Sequence, residues 1–283
     1  MSNAIKTTAL LGLLTGLLLW IGQWLGGPQG LVIALVFAAA MNFGSYWFAD
    51  RFVLAMYGAR ELSEQDAPDL FRIVRELATG IAMPMPRIYL VPSDSPNAFA
   101  TGRSPEHAAV AVTEGILKLL TPDELRGVLA HELSHVRNRD TLISAVAATL
   151  AGVIMMVARM AYWAALFGGM RRDEREEGGS PFGFLAMIIV APIAATLIQL
   201  AISRAREYQA DASGAHILHR PQELADALEK IARVSSRIPL AAAGPATAHL
   251  WIVNPLKGDR LANLFSTHPP IEERIRRLRA MSR

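Results

Sequence analysis

Charged residues are missing from a long stretch near the start of the chain. Residues 7–49 contain no Asp, Glu, Lys or Arg, and a turn-like Gly-Gly-Pro-Gln-Gly sequence at 26–30 divides them. Two spans of roughly 20 residues each are long enough to cross a hydrocarbon core about 30 Å thick. The pattern predicts a transmembrane hairpin over 1–49. A signal peptide is the alternative for the first span, but no convincing cleavage site is followed by a polar mature sequence.

A second apolar pair follows at 141–203. Residues 141–170 carry one charge, Arg159, and residues 181–203 carry none. The loop at 171–180 is charged and rich in glycine, as expected for a short connection outside the membrane. Arg159 is expected to extend its side chain towards the far interface. The sequence therefore predicts four transmembrane helices.

The two remaining segments, 50–140 and 204–283, alternate helical and extended patterns. Apolar positions at helical spacing predict helices over 66–80, 114–119 and 270–282, and another that begins at Pro122. Short β-rich runs at 87–91, 97–102 and 107–113 predict a small sheet. We thus expect a mainly α membrane protein with an α+β domain formed by segments 50–140 and 204–283.

One extended run has two interpretations. Asn97, Ala98 and Phe99 could form an edge strand that binds an extended peptide through main-chain hydrogen bonds. The residues alone favour an ordinary hairpin.

Composition and charge agree with a membrane protein. Hydrophobic residues make up 52% of the chain and charged residues 19%. Nine basic residues lie near the span ends on one side of the membrane: Lys6, Arg51, Arg60, Arg126, Arg137, Arg139, Arg204, Arg206 and Arg220. Three lie near the ends on the other side: Arg171, Arg172 and Arg175. Basic residues favour the cytoplasm, so both termini and the α+β domain are expected there. The absence of cysteine agrees with this location.

The net charge of +3 is small, and the basic residues form no stripe with interleaved aromatic residues. This pattern gives no support to nucleic-acid binding.

The sequence His-Glu-Leu-Ser-His at 131–135 has the spacing of a catalytic zinc site. A match to H-E-x-x-H in a random chain of this composition is expected roughly 0.01 times. His131 and His135 lie one turn apart on the same helix face, so both can bind one ion. Glu132 can then take a proton from a water on the metal.

A third ligand has to come from elsewhere, because Asn138 and Leu142 occupy the positions of the glycine and third histidine in the extended motif. The predicted distance from the membrane favours Glu207 as this ligand. His135 precedes the third span by about 9 Å of helix, and Glu207 follows the fourth span by about 6 Å, so both stand at a similar level outside the lipid. Asp211, one turn beyond Glu207, can accept a hydrogen bond from a ligand histidine.

Five blocks, in order, resemble the HtpX family of membrane-bound zinc metalloproteases, which are related to the CAAX prenyl endopeptidases. They are Pro-Asn-Ala-Phe-Ala-Thr-Gly at 96–102, His-Glu-Leu-Ser-His at 131–135, Asp140, Ser-Arg-Ala-Arg-Glu-Tyr-Gln-Ala-Asp at 203–211, and Ser-Thr-His-Pro-Pro at 266–270. The resemblance covers about the whole chain. It implies a zincin-like domain that cleaves misfolded or damaged membrane proteins, or unfolded polypeptides, at the cytoplasmic face of the inner membrane.

The resemblance also implies particular residues. It makes His131, His135 and Glu207 the ligands of one Zn²⁺ per chain, with Glu132 as the base, and it strengthens the substrate-strand interpretation of 97–99. It places His268 and Arg274 near the active site, where donors would stabilise an oxyanion. Without it, His268 reads as a cap of helix 270–282, and Arg274 as part of a solvated face. Asp140 either holds the end of the motif helix or lies at the surface.

Two other functions stay open. An intramembrane metalloprotease would bury H-E-x-x-H in a span and take an Asp ligand, for which 254–259, ending in Asp259, is a poor match. A non-catalytic scaffold or chaperone could bind metal, but a purely structural site needs no base such as Glu132. The sequence leaves the natural substrate and any homo-oligomer undetermined.

Overall fold

A computed structural model describes residues 3–144, 146–147, 150, 153, 204–235, 252 and 269–281. The helices are α1 Asn3–Met56, α2 Pro68–Gly80, α3 Glu114–Leu119, α4 Pro122–Arg137, α5 Arg204–Leu218, α6 Pro221–Ser235 and α7 Ile271–Ala280. The strands are β1 Arg60–Glu61, β2 Arg87–Val91, β3 Ala98–Thr101 and β4 Ala109–Thr113. A 3-10 turn at Pro105–His107 precedes β4.

The first apolar stretch forms a helical hairpin within α1. The chain reverses at Gly27, whose φ of 57° and ψ of −141° are not helical, and the second arm begins at Pro28. Pro is well suited to a first helical position because its φ is already helical. The reversal is therefore tighter than the loop expected over 26–30. Asn42 on the second arm donates a hydrogen bond to the Thr15 hydroxyl on the first, at 2.8 Å.

The two arms contain segments long and apolar enough to cross a membrane, Ile5–Trp24 and Gly26–Phe48. Trp20 and Trp24 are exposed near the tip of the hairpin, and exposed Phe43 and Trp47 lie near its other end. Aromatic residues at both ends are typical of membrane interfaces. The helix continues beyond the predicted boundary at residue 49. The predicted third and fourth spans, with Arg159, lie largely or wholly outside the described residues.

The predicted small sheet is present and mixed, with the strand order β1-β2-β4-β3. β2 and β4 are parallel, whereas β1 pairs antiparallel with β2 and β3 pairs antiparallel with β4. The sequence did not predict the two-residue β1. β3 pairs antiparallel with β4, as in a hairpin, and among the described residues it is an edge strand of the sheet. Peptide binding at that edge stays a prediction.

Both faces of the sheet are buried. Alternate residues of a strand point in opposite directions, so each strand contributes side chains to both faces. One face contributes Ile88, Leu90, Ala98, Ala100, Val110 and Val112 to the main core, which also includes residues of α2, α4 and α6. The other face packs against the end of α1 through Tyr89, Val91, Phe99, Ala109 and Ala111. The motif helix and the membrane hairpin therefore lie against opposite faces of one sheet.

Helix α4 packs against β3, α5 and α6, among other elements. Its start is fixed by a capping box, in which the Thr121 hydroxyl accepts from the Glu124 backbone and the Glu124 carboxylate accepts from the Thr121 backbone. Glu124 also forms an ion pair of 2.7 Å with Lys230 of α6. These contacts set the rotation of α4 and hence the direction of the side chains in its second half.

Candidate metal centre

The second half of α4 places the motif residues in a buried position. His131 and Glu132 are 4% and 8% exposed, and the imidazoles of His131 and His135 lie on the same side of the helix, with ring centroids 4.7 Å apart. Helix α5 passes close to them because Gly214 has no side chain. A Cβ at Gly214 would lie 3.0 Å from the backbone nitrogen of His131.

Glu207 of α5 completes a three-residue cluster with His131 and His135, as predicted from depth. The His131 Nε2 and His135 Nε2 atoms are 3.2 Å apart, and they lie 3.7 Å and 3.5 Å from the two Glu207 oxygens. Ligands about 2.0–2.1 Å from a tetrahedral zinc ion would lie about 3.3 Å from one another. The ligand-atom separations therefore fit one small divalent cation.

Each histidine has a carboxylate on its other ring nitrogen. His131 Nδ1 lies 2.9 Å from Asp211 Oδ1, and His135 Nδ1 lies 3.2 Å from Asp140 Oδ2. A neutral imidazole that donates from Nδ1 keeps a lone pair on Nε2. With both imidazoles neutral and donating from Nδ1, the two Nε2 lone pairs are available to one cation.

Asp140 reaches His135 because α4 stops before it. The Asn138 backbone N–H still bonds to the Ser134 carbonyl, but Arg139 adopts a left-handed φ of 58°, and helical backbone resumes at residue 140. The depth argument assumed an unbroken helix from His135 to residue 141, and that assumption is wrong. The surface interpretation of Asp140 is also wrong, since its side chain is buried.

Two buried arginines neutralise these outer carboxylates. Arg274 of α7 donates to Asp211 from Nε at 2.8 Å and from Nη2 at 2.6 Å, and its Nη1 lies 3.7 Å from Glu207. Arg206 lies 3.6 Å from Asp140. Burial opposes ionisation of Asp211, but the Arg274 charge and the His131 hydrogen bond outweigh it and hold the pKa of Asp211 below its usual range.

Formal charges around the centre agree with a divalent cation. The carboxylates of Glu132, Glu207, Asp211 and Asp140 face the guanidinium groups of Arg274 and Arg206. Four negative charges against two positive charges leave two negative charges. A metal ion of charge +2 neutralises them.

The solvated-face interpretation of α7 is wrong at Arg274, which is 1% exposed. The sequence counted Arg206 only among the basic residues near the span ends and gave it no role at the centre. The sequence around Arg206 gives little indication of this role, because a basic residue just after an apolar span is usually interpreted as a charge at the membrane interface. His268 lies outside the described residues.

Glu132 connects the centre to the edge strand. Its Oε2 atom accepts a hydrogen bond of 3.1 Å from the backbone N–H of Ala100 in β3. Ala98 lies on the same side of the sheet as Ala100, whereas Phe99 points towards α1. Asn97 is fully buried, and its Oδ1 accepts from the backbone N–H of Ile252 at 3.0 Å.

Metal affinity is expected to depend on pH through His135. Burial lowers the pKa of His135, but the Asp140 hydrogen bond and the nearby carboxylates, Glu207 first, outweigh burial and raise it from 6.5 to about 9. Below that pH a metal has to displace a proton, so its apparent affinity should rise about tenfold per pH unit between pH 7 and 9 and then level off. Competition with a chromophoric chelator measures this.

The control for that titration is Asp140→Asn, which should lower the pKa of His135 and move the plateau to lower pH. An affinity that is independent of pH from 7 to 9 would contradict the assignment of this proton. The same proton stabilises the metal-free fold. Its contribution is complete below pH 6.5 and is lost as the pH rises through about 9.

Comparison with known proteins agrees with this geometry. Residues 64–282 match the model of peptidase family M48. The chain is 62% identical over 282 residues to the "Protease HtpX homolog" of Syntrophobacter fumaroxidans, an alignment covering 99% of this chain and 100% of the relative. It is 56% identical over 284 residues to the protein of the same name from Persephonella marina, covering 99% and 98%.

A solved structure shares the fold. The crystal structure of S. mikatae Ste24p superposes with a TM-score of 0.56 at 19% sequence identity. The alignment covers 98% of this chain, which spans 65% of the length of the Ste24p chain.

Proposed function

This chain belongs to peptidase family M48 and is a membrane metalloprotease, and we propose that it cleaves misfolded or damaged membrane proteins at a zinc ion on the cytoplasmic side of the inner membrane. The expected resemblance to HtpX proteases is confirmed. The scaffold alternative is set aside by the family. The observation that carries the proposal is that the ligand atoms of His131, His135 and Glu207 all lie within 4.8 Å of one another.

Zinc, when bound at these three side chains, polarises the scissile carbonyl and makes a coordinated water acidic enough to ionise near neutral pH. Glu132 accepts the proton of the attacking water and returns it to the leaving amine. The Ala100 N–H fixes one oxygen of Glu132, and we assign the proton transfer to the other. Asp211 and Asp140 hold the ligand imidazoles in the tautomer that binds metal through Nε2.

The edge strand supplies the substrate site in this proposal. Main-chain groups of successive residues in an antiparallel strand point alternately to its two sides. The Asn97 carbonyl accepts from Thr113 on the β4 side, so the main chains of Ala98 and Ala100 face away from β4. Because Glu132 holds the Ala100 N–H, an extended peptide added at that edge bonds to the main-chain groups of Ala98 and to the Ala100 carbonyl, whatever its own sequence. This mode suits unfolded substrates.

The membrane arrangement is a proposal of four spans with both termini in the cytoplasm. It is supported by the bias of basic residues and by the two candidate spans in α1. Helix α4 belongs to neither of these spans and ends at Arg137. Glu207 lies against the histidines, and 254–259 lie outside the described residues. These observations favour a centre outside the lipid over an intramembrane protease.

Membrane vesicles test function and orientation together. Inside-out vesicles that contain the protein should degrade an added unfolded polypeptide, because their cytoplasmic face points outward, and sealed right-side-out vesicles should not. A metal chelator should stop the cleavage, and added zinc should restore it. Fragment yield on gels measures the result. Equal cleavage by both vesicle types would contradict the orientation, and cleavage resistant to chelation would contradict the metal-dependent mechanism.

A further inference from the structure

The membrane hairpin passes into the sheet without a flexible linker. At the end of α1 the Ala59 N–H bonds to the Leu54 carbonyl at 2.9 Å and the Gly58 N–H bonds to the Ala55 carbonyl at 3.0 Å. Gly58 adopts a left-handed φ of 60°, which completes a Schellman motif. β1 begins two residues later, at Arg60. The direction of the helix end is therefore fixed relative to the sheet.

The last turn of α1 packs on the face of the sheet opposite to the motif helix. Leu54 and Tyr57 are buried there, against Ala109 and Ala111 of β4. Alanines on that face leave room for the helix to approach. Tyr57 also contacts Phe99, with ring centroids 5.6 Å apart and planes at 50°. Phe99 is the residue of β3 that points to this face.

Two further contacts join the hairpin to the domain. Asp50 forms an ion pair of 2.8 Å with Arg87 of β2. The guanidinium of Arg103, two residues after β3, lies 4.1 Å from the centroid of the Trp47 ring. The hairpin thus contacts Phe99 within β3 and Arg103 just after β3.

Among the described residues β3 is an edge strand with β4 as its neighbouring strand, so it depends more than β4 on contacts from its faces. The same strand carries the Ala100 N–H that holds Glu132. A shift of β3 would move both the backbone that pairs with substrate and the anchor of the base.

We propose that Tyr57, at the cytoplasmic end of the membrane hairpin, is a positioning residue that holds the substrate strand β3 in place through the ring of Phe99. This inference rests on the proposed function, since it concerns how that site binds a polypeptide. The hairpin is then part of the peptidase machinery as well as its anchor. Tyr57 lies on the face of the sheet opposite to the motif helix, so its effect reaches the ligands and the base through β3.

The test uses the full chain in detergent with the Tyr57→Leu variant, which keeps an apolar group and removes the ring. KM for an unfolded polypeptide should rise about three- to tenfold, the range expected for loss of one aromatic pair. Turnover should fall as well, because the same shift moves the Ala100 N–H that holds Glu132, and metal content should not change. Amide hydrogen exchange at residues 98–102 should become at least about threefold faster, while exchange in α4 stays the same.

Four companion variants identify the cause. Tyr57→Phe keeps the ring and should restore most of the parental KM. Phe52→Ala removes an aromatic ring that is 70% exposed on the same end of α1, and it should leave KM and exchange unchanged. Phe99→Leu should raise KM, and the Tyr57→Leu/Phe99→Leu double variant should be no worse than the more affected single variant, because both remove the same contact.

Parental KM and parental exchange at 98–102 in Tyr57→Leu would overturn the inference, and so would additive effects in the double variant. Loss of turnover in proportion to lost metal would also overturn it, since that indicates general damage. Hydrogen exchange decides the matter even without peptidase activity. Failure of the proposed function looks different, because it appears in the parent as cleavage that does not need metal.

Discussion

Glu132→Gln is expected to lower turnover of an unfolded polypeptide by about 10²- to 10⁴-fold, the range for loss of a general base. The amide of glutamine cannot accept the proton of the attacking water. Metal content should remain that of the parent, because the ligands are the side chains of His131, His135 and Glu207. Steady-state kinetics and metal analysis of the purified protein measure the two quantities.

Glutamine also keeps a carbonyl oxygen that can accept from the Ala100 N–H, so β3 should stay in place. The matched control is Glu76→Gln on the exposed side of α2, which makes the same chemical change away from the centre. Its turnover should equal that of the parent. If Glu132→Gln cleaves as fast as Glu76→Gln, Glu132 is not the base.

Glu207→Ala should lose the metal. Removing groups that merely orient metal ligands costs about 10- to 100-fold in affinity, and removing a ligand should cost more than that range. Arg274 would also lose one of its nearby carboxylates, which lowers the net negative charge of the buried site and weakens its attraction for a divalent cation. Competition with a chelator of known affinity measures the loss, and peptidase activity should fall with it.

The neighbouring variant Tyr208→Phe is the control. Arg277 lies over the Tyr208 ring at 3.7 Å, and phenylalanine keeps that ring. Metal affinity should therefore stay at the parental value. Tight metal binding by Glu207→Ala would mean that another residue supplies the third ligand.

The sequence predicted features that depend on local spacing. The run 87–91 became β2 and 114–119 became α3 with the bounds expected, because alternating apolar residues and helix caps act over a few residues. His131 and His135 were predicted as a ligand pair because residues four apart lie on the same face of a helix. Glu207 was found through the membrane-depth argument, although the helix it assumed is broken at Arg139.

Contacts between distant segments could not be predicted in this way. Arg274 binds Asp211 from 63 residues away, and Glu132 binds Ala100 across 32 residues. The periodicity of apolar residues does not indicate which distant side chains pair. From the residues alone, Arg274 was therefore interpreted as a solvated arginine, and only the packing of α7 against α5 shows that it is buried. The family resemblance pointed to Arg274, but it did not show that its partner is Asp211. The edge position of β3 likewise depends on the order of strands.

The distribution of the centre along the chain has a consequence for biosynthesis. The histidines lie on α4, Glu207 follows on α5, and Arg274 follows on α7. During translation the ligand set is incomplete until α5 has been made, and its charge is balanced only after α7. A nascent chain therefore carries the two histidines without their third ligand while residues 136–206 are being made.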